Sequence, residues 1–291
     1  MPNENAISVR NLTKKYSDFK LNNISFDLPK GKIVGLIGEN GSGKTTIIKL
    51  MLNDIEKDSG EIFIFGMDHV ANMKQIKSEL GVIYDTNHYH ELFNALELEK
   101  IIRKIVPKWE ESKYKSLLDT FHLPLNQPIS DFSQGMKVKL NFSIVLSSSP
   151  KLLILDEATN GLDPMVRREI LDILVDYTGN KEHSVLIASH ITSDLERIAD
   201  HLIILHKGDI LLTEEKDVLL NQYGIAQLSK EQFNQVDPKD LLFFNKRHQN
   251  YEVLVNEKIA FQKKYKLTNM ECPSFEDVLY FYTKGERKWL D

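Results

Sequence analysis

Apolar residues in this chain fall into two alternating patterns that predict the layout of the fold. Short, nearly unbroken runs at Ile33-Val34-Gly35-Leu36-Ile37, Lys151-Leu152-Leu153-Ile154-Leu155-Asp156 and Ser184-Val185-Leu186-Ile187-Ala188-Ser189 suit the buried strands of a parallel sheet. Ahead of them, Ile7–Val9 and Leu21–Phe26 predict two short strands, and Pro29-Lys30-Gly31 is the turn into the first long run. Asp58-Ser59-Gly60-Glu61 forms another turn, which leads into the alternating Ile62-Phe63-Ile64-Phe65. Leu202–Leu205 and Ile210–Leu212 flank Lys207-Gly208-Asp209 as a hairpin. Between residues 94 and 148 the period becomes helical, with Leu96, Ile101, Ile102 and Ile105, then Trp109, Leu117, Leu118 and Phe121. Pro107, Pro124 and Pro128 punctuate this stretch, which reads as a helical lobe inserted in an α/β core. Asp163-Pro164 is an N-cap followed by proline at the first helical position.

The pattern shifts near Tyr223-Gly224, where the chain becomes rich in Lys, Gln and Asn. Strands are expected at Leu241–Phe244 and Tyr251–Val255. A last helix opens at Ser274, with Asp277 as a capping-box partner, and places Phe275, Val278, Leu279 and Tyr282 on one face. The expected division is a core domain over 1–222, its helical lobe at about 86–150, and a small α/β appendage over 223–291.

Charge and composition narrow the function classes. Lys and Arg number 37 against 42 Asp and Glu, a balance with no general attraction for nucleic acid, so no nucleic-acid partner is expected. Cys272 is the single cysteine; it cannot close an internal disulfide, which favours a reducing compartment, and it reads as a small packing residue. No run approaches the ~18 apolar residues of a spanning helix, and the N-terminus lacks the basic-then-apolar layout of a secretory signal. A soluble protein that docks on a membrane partner fits these limits.

The densest chemistry is Gly38-Glu39-Asn40-Gly41-Ser42-Gly43-Lys44-Thr45-Thr46, set between the apolar run at Ile33 and the helically spaced Ile47-Ile48-Lys49-Leu50-Met51-Leu52. A glycine-rich turn at a helix N-terminus aims backbone N–H groups and the positive helix end at one point, where phosphate oxygens fit. Lys44 can then reach the outer phosphates and the Thr45 hydroxyl can hold Mg²⁺, so a nucleoside triphosphate is expected. At the exit of the second run, Asp156 can hold Mg²⁺ through water while Glu157 polarises an attacking water. Phe132-Ser133-Gln134-Gly135-Met136 stands at a helix start, where a serine serves locally as a plain N-cap.

The order of these segments carries more than each alone. A phosphate loop is followed by Ser133-x-Gly135, the Asp156-Glu157 strand, Gly161-Leu162-Asp163-Pro164 and then His190. Over about residues 5–215 this order resembles the ATP-binding cassette (ABC) ATPases. The resemblance implies an α/β P-loop NTPase of two lobes, with a RecA-like core, an antiparallel β subdomain and a helical subdomain, plus the small C-terminal α/β appendage. It implies that Gly38 to Thr46 is the Walker A loop, that Leu152 to Glu157 is Walker B with Glu157 as the catalytic glutamate, and that Tyr16 stacks on adenine. His190 would contact the γ-phosphate. Ser133 and Gly135 would face the ATP of a second ATPase subunit, identical or not, and Asp163 would cross that dimer interface. ATP hydrolysis with Mg²⁺ would power a separate integral membrane subunit that exports a peptide, lipid-like or amphipathic compound. The protein would sit in the cytoplasm, peripheral on the inner face of the cell membrane.

Two departures mark the chain out. Only Ser133 and Gly135 of the usual Leu-Ser-Gly-Gly-Gln signature are present. After Gly81-Val82-Ile83-Tyr84, where most of the family has glutamine, this chain has Asp85. Like charges ~4 Å apart repel by roughly 4 kcal/mol at an effective dielectric of 20, so a carboxylate beside ATP needs Mg²⁺ to offset it. Asp85 therefore reads as a metal or water ligand, the other arrangement being a side chain that points away. Asp85 and the Ser-x-Gly-Met signature resemble the bacitracin-resistance and lantibiotic-immunity branch of bacterial exporters. His88-Tyr89-His90 has metal-like spacing without further ligands and reads as part of a loop that docks on the membrane subunit. Two other readings stand beside the transporter: a nucleotide-gated regulatory subunit with little turnover, and a soluble ABC ATPase of translation or repair.

Overall fold

The protein is described from a computed structural model over residues 4–85, 89–106, 108–248 and 250–288. The chain opens with β1 (Asn5–Lys15) and β2 (Lys20–Pro29), enters the core through β3 (Ile33–Ile37) and α1 (Lys44–Met51), and returns outward through β4 (Ser59–Ile64) and β5 (Met67–Asp68). After α2 (Met73–Lys77) and β6 (Leu80–Tyr84) come α3 (Ala95–Ile102), α4 (Glu111–Thr120) and α5 (Gln134–Leu146). The core then closes with β7 (Leu152–Asp156), α6 (Pro164–Thr178), β8 (Ser184–Ser189), α7 (Thr192–Ile198), β9 (His201–His206) and β10 (Asp209–Glu215). Beyond α8 (Lys216–Gln222) lie β11 (Gly224–Ser229), α9 (Lys230–Gln235), β12 (Phe243–Arg247), β13 (Asn250–Val255), α10 (Lys258–Tyr265) and α11 (Phe275–Lys284).

The unbroken apolar runs form the centre of a six-stranded sheet of order β10-β9-β3-β8-β7-β6. Its strands are parallel except for the edge strand β10. Because side chains alternate faces along a strand, each run serves two cores. Ile33, Leu153, Leu155, Val185 and Ile187 pack on one side with Ile170, Leu174 and Leu195 of α6 and α7. Val34, Leu36, Leu152, Ile154 and Leu186 pack on the other with Ile47 and Ile48 of α1 and with Ile7, Val9 and Leu28 of the outer strands. Those outer strands form an antiparallel sheet of order β2-β1-β4-β5. Burial on both faces is the reason the runs carry no polar alternation.

The helical lobe is organised around Tyr114, which is fully buried and donates its hydroxyl to the Ala95 carbonyl at 3.0 Å. A capping box between Asn94 and Glu97 starts α3. Ile101 and Ile105, expected to belong to the apolar face, are 43% and 70% exposed; Ala95 and Leu98 supply the buried face of α3 instead.

From Gly224 onward the chain builds a three-stranded antiparallel sheet of order β11-β13-β12. β11 was not evident in the sequence, and β12 begins two residues later than expected, after a short turn at Pro238–Asp240. The capping box at Ser274 and Asp277 opens α11 as expected. Its buried residues are Phe275, Val278 and Phe281, and they join the same apolar cluster as Leu195 and Ile198 of α7. Cys272 is exposed, with the Lys258 ammonium 3.2 Å from its sulfur, which corrects the reading of it as a packing residue.

One tight turn ties the layers together. Lys207 and Gly208 both have positive φ, 48° and 86°, as a two-residue hairpin of this hand requires. The Gly208 N–H donates to the Ser42 carbonyl at 3.0 Å and its carbonyl accepts from Asn22 at 2.9 Å. A Cβ at Gly208 would lie 1.8 Å from the Lys20 carbonyl oxygen. Gly208→Ala is therefore expected to destabilise the protein by about 1–3 kcal/mol from backbone strain alone, with the clash adding to it. Denaturant unfolding of the variant measures this, and an unchanged midpoint would contradict the assignment.

Candidate nucleotide site

The parallel strands end on one side of the sheet, and their loops gather the polar residues there, as open α/β sheets do. β3 ends at Ile37 and the glycine-rich loop turns directly into α1, whose N-cap Gly43 has φ 114°. A side chain there would be strained by this φ, and its Cβ would also crowd Leu21 Cδ2 at 2.6 Å and Phe19 Cζ at 2.8 Å. Lys44 bends back over the loop. Its ammonium donates to the Gly38 carbonyl at 2.7 Å and the Glu39 carbonyl at 3.3 Å, and lies 3.1 Å from Glu157 Oε1. Only 5% of the residue is exposed.

β7 and β8 pair in parallel with Asp156 opposite Ala188, so Glu157 and His190 leave the sheet side by side. Glu157 stands at φ 53°, in the left-handed region, and its N–H donates to the Ala188 carbonyl at 2.9 Å. Such a conformation costs on the order of 1–3 kcal/mol for a residue with a side chain and clusters at functional sites. It aims the carboxylate so that Oε2 lies 2.8 Å from His190 Nδ1 and accepts from the His190 N–H at 3.3 Å. One carboxylate thus links the lysine of the phosphate loop to the histidine of the next strand.

Asp156 is buried, and its Oδ1 has no hydrogen-bond partner. Burial pushes its carboxyl above the ordinary carboxylate range, offset in part by the Thr45 side-chain hydrogen bond and by Lys44. A buried oxygen left unpaired is costly, and here Asp156 lines a cleft together with Thr45. Among the described residues no three His, Cys, Asp or Glu side chains converge to hold a metal unaided. The unpaired Asp156 oxygen next to the phosphate loop is the donor type that suits a cation shared with phosphate oxygens, which is how Mg²⁺ is usually held.

Two clefts meet at these residues. One, of about 530 Å³, is lined by Tyr16, Asp18 and Phe19, by the loop from Asn40 to Thr46, and by Glu157. The other, of about 340 Å³, shares Asn40, Thr45 and Glu157 and adds Tyr84, Asp85, Asp156, Asn160 and His190. The fold therefore brings together Tyr16, Asn40, Gly41, Ser42, Gly43, Lys44, Thr45, Thr46, Asp85, Asp156, Glu157 and His190, with Gly38 behind them as an acceptor for Lys44. Asp85 lines the second cleft.

Ser133, Gly135 and Asp163 line neither cleft. Ser133 caps α5 by accepting from the Met136 N–H at 3.2 Å, and Asp163 caps α6 by accepting from Met165 at 2.8 Å; both are exposed. His88 of the His88-Tyr89-His90 spacing lies outside the described residues. Asp18, Phe19 and Asn160 escaped the sequence reading. Phe19 is signalled only by its register with Tyr16, whose N–H donates to the Phe19 carbonyl at 2.7 Å. Asn160 is placed by a turn, its N–H donating to the Glu157 carbonyl at 3.0 Å.

Comparison with known proteins places this geometry. The ABC transporter family model matches residues 21–160. The bacitracin transport ATP-binding protein BcrA of Enterococcus faecalis is 34% identical over 211 residues, covering 72% of this chain and 68% of BcrA. The lantibiotic transport ATP-binding protein SrtF of Streptococcus pyogenes is 35% identical over 214 residues, covering 72% of this chain and 91% of SrtF. A solved ATP-binding subunit of an ABC transporter superposes with a TM-score of 0.67 at 27% identity, covering 75% of this chain and 92% of that one. With about a third of the aligned residues identical across most of the length of two transport proteins, and a phosphate loop facing a paired Glu157 and His190, the chain belongs to the ABC transporter ATP-binding subunits, ATPases that serve a separate membrane subunit.

Proposed function

We propose that this ATPase drives export of a peptide antibiotic or similar amphipathic compound, and that its chemistry runs through Glu157. The observation that carries the catalytic reading is the shared carboxylate, with Lys44 at 3.1 Å on one oxygen and His190 Nδ1 at 2.8 Å on the other. The γ-phosphate of ATP competes with Glu157 for Lys44. Once the phosphate takes the ammonium, Glu157 keeps His190 as its partner and is free to accept a proton from the attacking water as general base. His190, held by the same carboxylate, is oriented toward the γ-phosphate. Tyr16, 47% exposed beside Phe19, offers a face for adenine; such stacking contributes about 1–3 kcal/mol.

Mg²⁺ would be held by the Thr45 hydroxyl and by Asp156, whose unpaired Oδ1 fits a cation, with Asp85 of the same cleft as a further ligand to it or to an attached water. When bound, it offsets the triphosphate's negative charge and draws electron density from the transferred group. The remaining donors belong to a second subunit. Ser133, Gly135 and Asp163 stand at exposed helix starts outside both clefts, which supports a dimer in which each chain completes its partner's site. Names of the relatives support a peptide cargo: BcrA is a bacitracin and SrtF a lantibiotic transport protein. They also favour transport over a purely regulatory or translation role. Among the described residues no helix is long and apolar enough to cross a membrane; attachment to the inner face of the cell membrane through a membrane subunit is supported by the relatives, which are transport ATP-binding proteins.

Glu157→Gln keeps the shape of the side chain and removes the proton acceptor. It is expected to slow hydrolysis by about 10²- to 10⁴-fold while tightening ATP binding, because the competing charge on Lys44 is gone. Size-exclusion chromatography with MgATP should then trap a dimer; near-normal turnover would sink the assignment.

Asp85→Ala is expected to lower turnover by about 10- to 100-fold, as for groups that tune a bound metal, and to raise the Mg²⁺ concentration giving half-maximal rate. ATP affinity should stay nearly intact, since Lys44 and the loop amides carry it, and Asp85→Asn should fall between. Wild-type rates at low Mg²⁺ in Asp85→Ala would remove Asp85 from the site.

Expressed alone the chain should remain in the supernatant after ultracentrifugation, and co-expressed with its membrane subunit it should sediment with membranes. Binding to protein-free liposomes would count against attachment through a partner.

A further inference from the structure

Beneath the site lies a buried carboxylate that none of the chemistry above uses. Asp194, on α7, is 5% exposed. The Thr159 hydroxyl, itself buried, donates to Asp194 Oδ2 at 3.0 Å. Arg167, on the first turns of α6, brings its Nε to 3.8 Å from the same oxygen and donates from its other arm to the Leu162 carbonyl at 3.2 Å. Three segments therefore meet at one oxygen, and each carries a site residue a few positions away. Thr159 is two residues past Glu157, Arg167 is four past Asp163 with its N–H bonded to the Asp163 carbonyl at 2.9 Å, and Asp194 is four past His190.

Stability alone does not explain this arrangement. Burial pushes the Asp194 carboxyl upward, and the Thr159 hydrogen bond with the Arg167 and Arg197 charges pulls it back only in part. The Arg167 contact is too long for a hydrogen bond, and the buried Arg167 Nε has no other partner. An apolar trio in the same volume would hold the fold as well or better. What the polar trio supplies is a directional constraint: it fixes distances between segments that apolar packing would leave to slide.

We infer that Asp194 is a positioning residue for ATP hydrolysis, the common anchor that sets Glu157, His190 and the Asp163 turn relative to one another. The inference rests on the roles proposed above for Glu157 and His190, and predicts that loosening the anchor misplaces the reacting groups without touching ATP.

The test is steady-state hydrolysis of MgATP by the full-length chain, with a thermal melt of each variant. Asp194→Ala should lower kcat by about 10- to 10²-fold, the scale of an ångström-sized misplacement, while KM for ATP stays within about two-fold. Asp194→Asn, which still accepts from Thr159, should recover part of the rate. Thr159→Val deletes the same hydrogen bond at constant volume and keeps the test open if Asp194→Ala folds poorly. Combined with Asp194→Ala it should cost no more than Asp194→Ala alone, because both act through one tie. Asp172→Ala, which removes an exposed ion pair between Arg197 and α6, should leave kcat unchanged. A kcat within about two-fold of wild type in folded Asp194→Ala and Thr159→Val would overturn the inference. So would a loss of rate that only tracks the loss of folded protein, or one that appears in KM. Normal turnover in Glu157→Gln would instead refute the base assignment, whatever Asp194→Ala does.

Discussion

The buried ammonium of Lys44 is the constraint on which the rest of the site depends. A charge this far from water is tolerated only when it is surrounded by oriented acceptors. Gly38 and Glu39 supply carbonyls and Glu157 supplies the countercharge. Each acceptor must come from a fixed place, so the loop has to fold back on itself and β7 has to deliver Glu157 within reach of β3. The left-handed backbone at Glu157 accompanies that delivery. In the proposed mechanism a triphosphate would satisfy the same lysine with more charge than one carboxylate, making binding and the release of Glu157 a single electrostatic exchange.

That exchange needs a rigid platform, and the central sheet provides it by serving two cores at once. Odd and even positions of β3, β7 and β8 are locked by different layers, so no strand can rotate or slip without disrupting both. A one-residue slip would send every side chain to the wrong layer. The strand ends are therefore fixed relative to one another, and the 2.8 Å contact between Glu157 and His190 follows from the parallel register of β7 and β8.

Much of this was legible in the sequence because the relevant signals are local. A glycine-rich turn between an apolar strand and a helix has few other readings, and unbroken apolar runs identify central parallel strands. The misreadings share a different cause. Ile101 and Ile105 fit the helical period but are exposed to solvent, and periodicity records a face without recording what packs on it. β11 lacks strong alternation because Ile225 and Ala226 are buried in succession, Ile225 against the α7–α11 cluster and Ala226 in the sheet's own small core. Phe19 and Asn160 enter the clefts through turn geometry, and Asp194 meets Thr159 across 35 residues. No spacing rule reaches that far. The Ser133 and Asp163 helix starts posed the converse case: local physics makes each a plain cap, which both are within one chain, and only their order along the sequence pointed to a second role.

The C-terminal appendage bears on how the site can move. Leu195 and Ile198 of α7 share one apolar cluster with Phe275, Val278 and Phe281 of α11, and Glu196 Oε2 accepts from the Phe275 N–H at 3.1 Å, at the first turn of that helix. Separating the two helices would expose large apolar side chains, each worth about 1.5–3 kcal/mol when buried, and would leave the start of α11 without its acceptor. A shift of α7 is cheaper when α11 travels with it. Because α7 begins two residues after His190, the helix that follows the histidine is the one on which α11 packs.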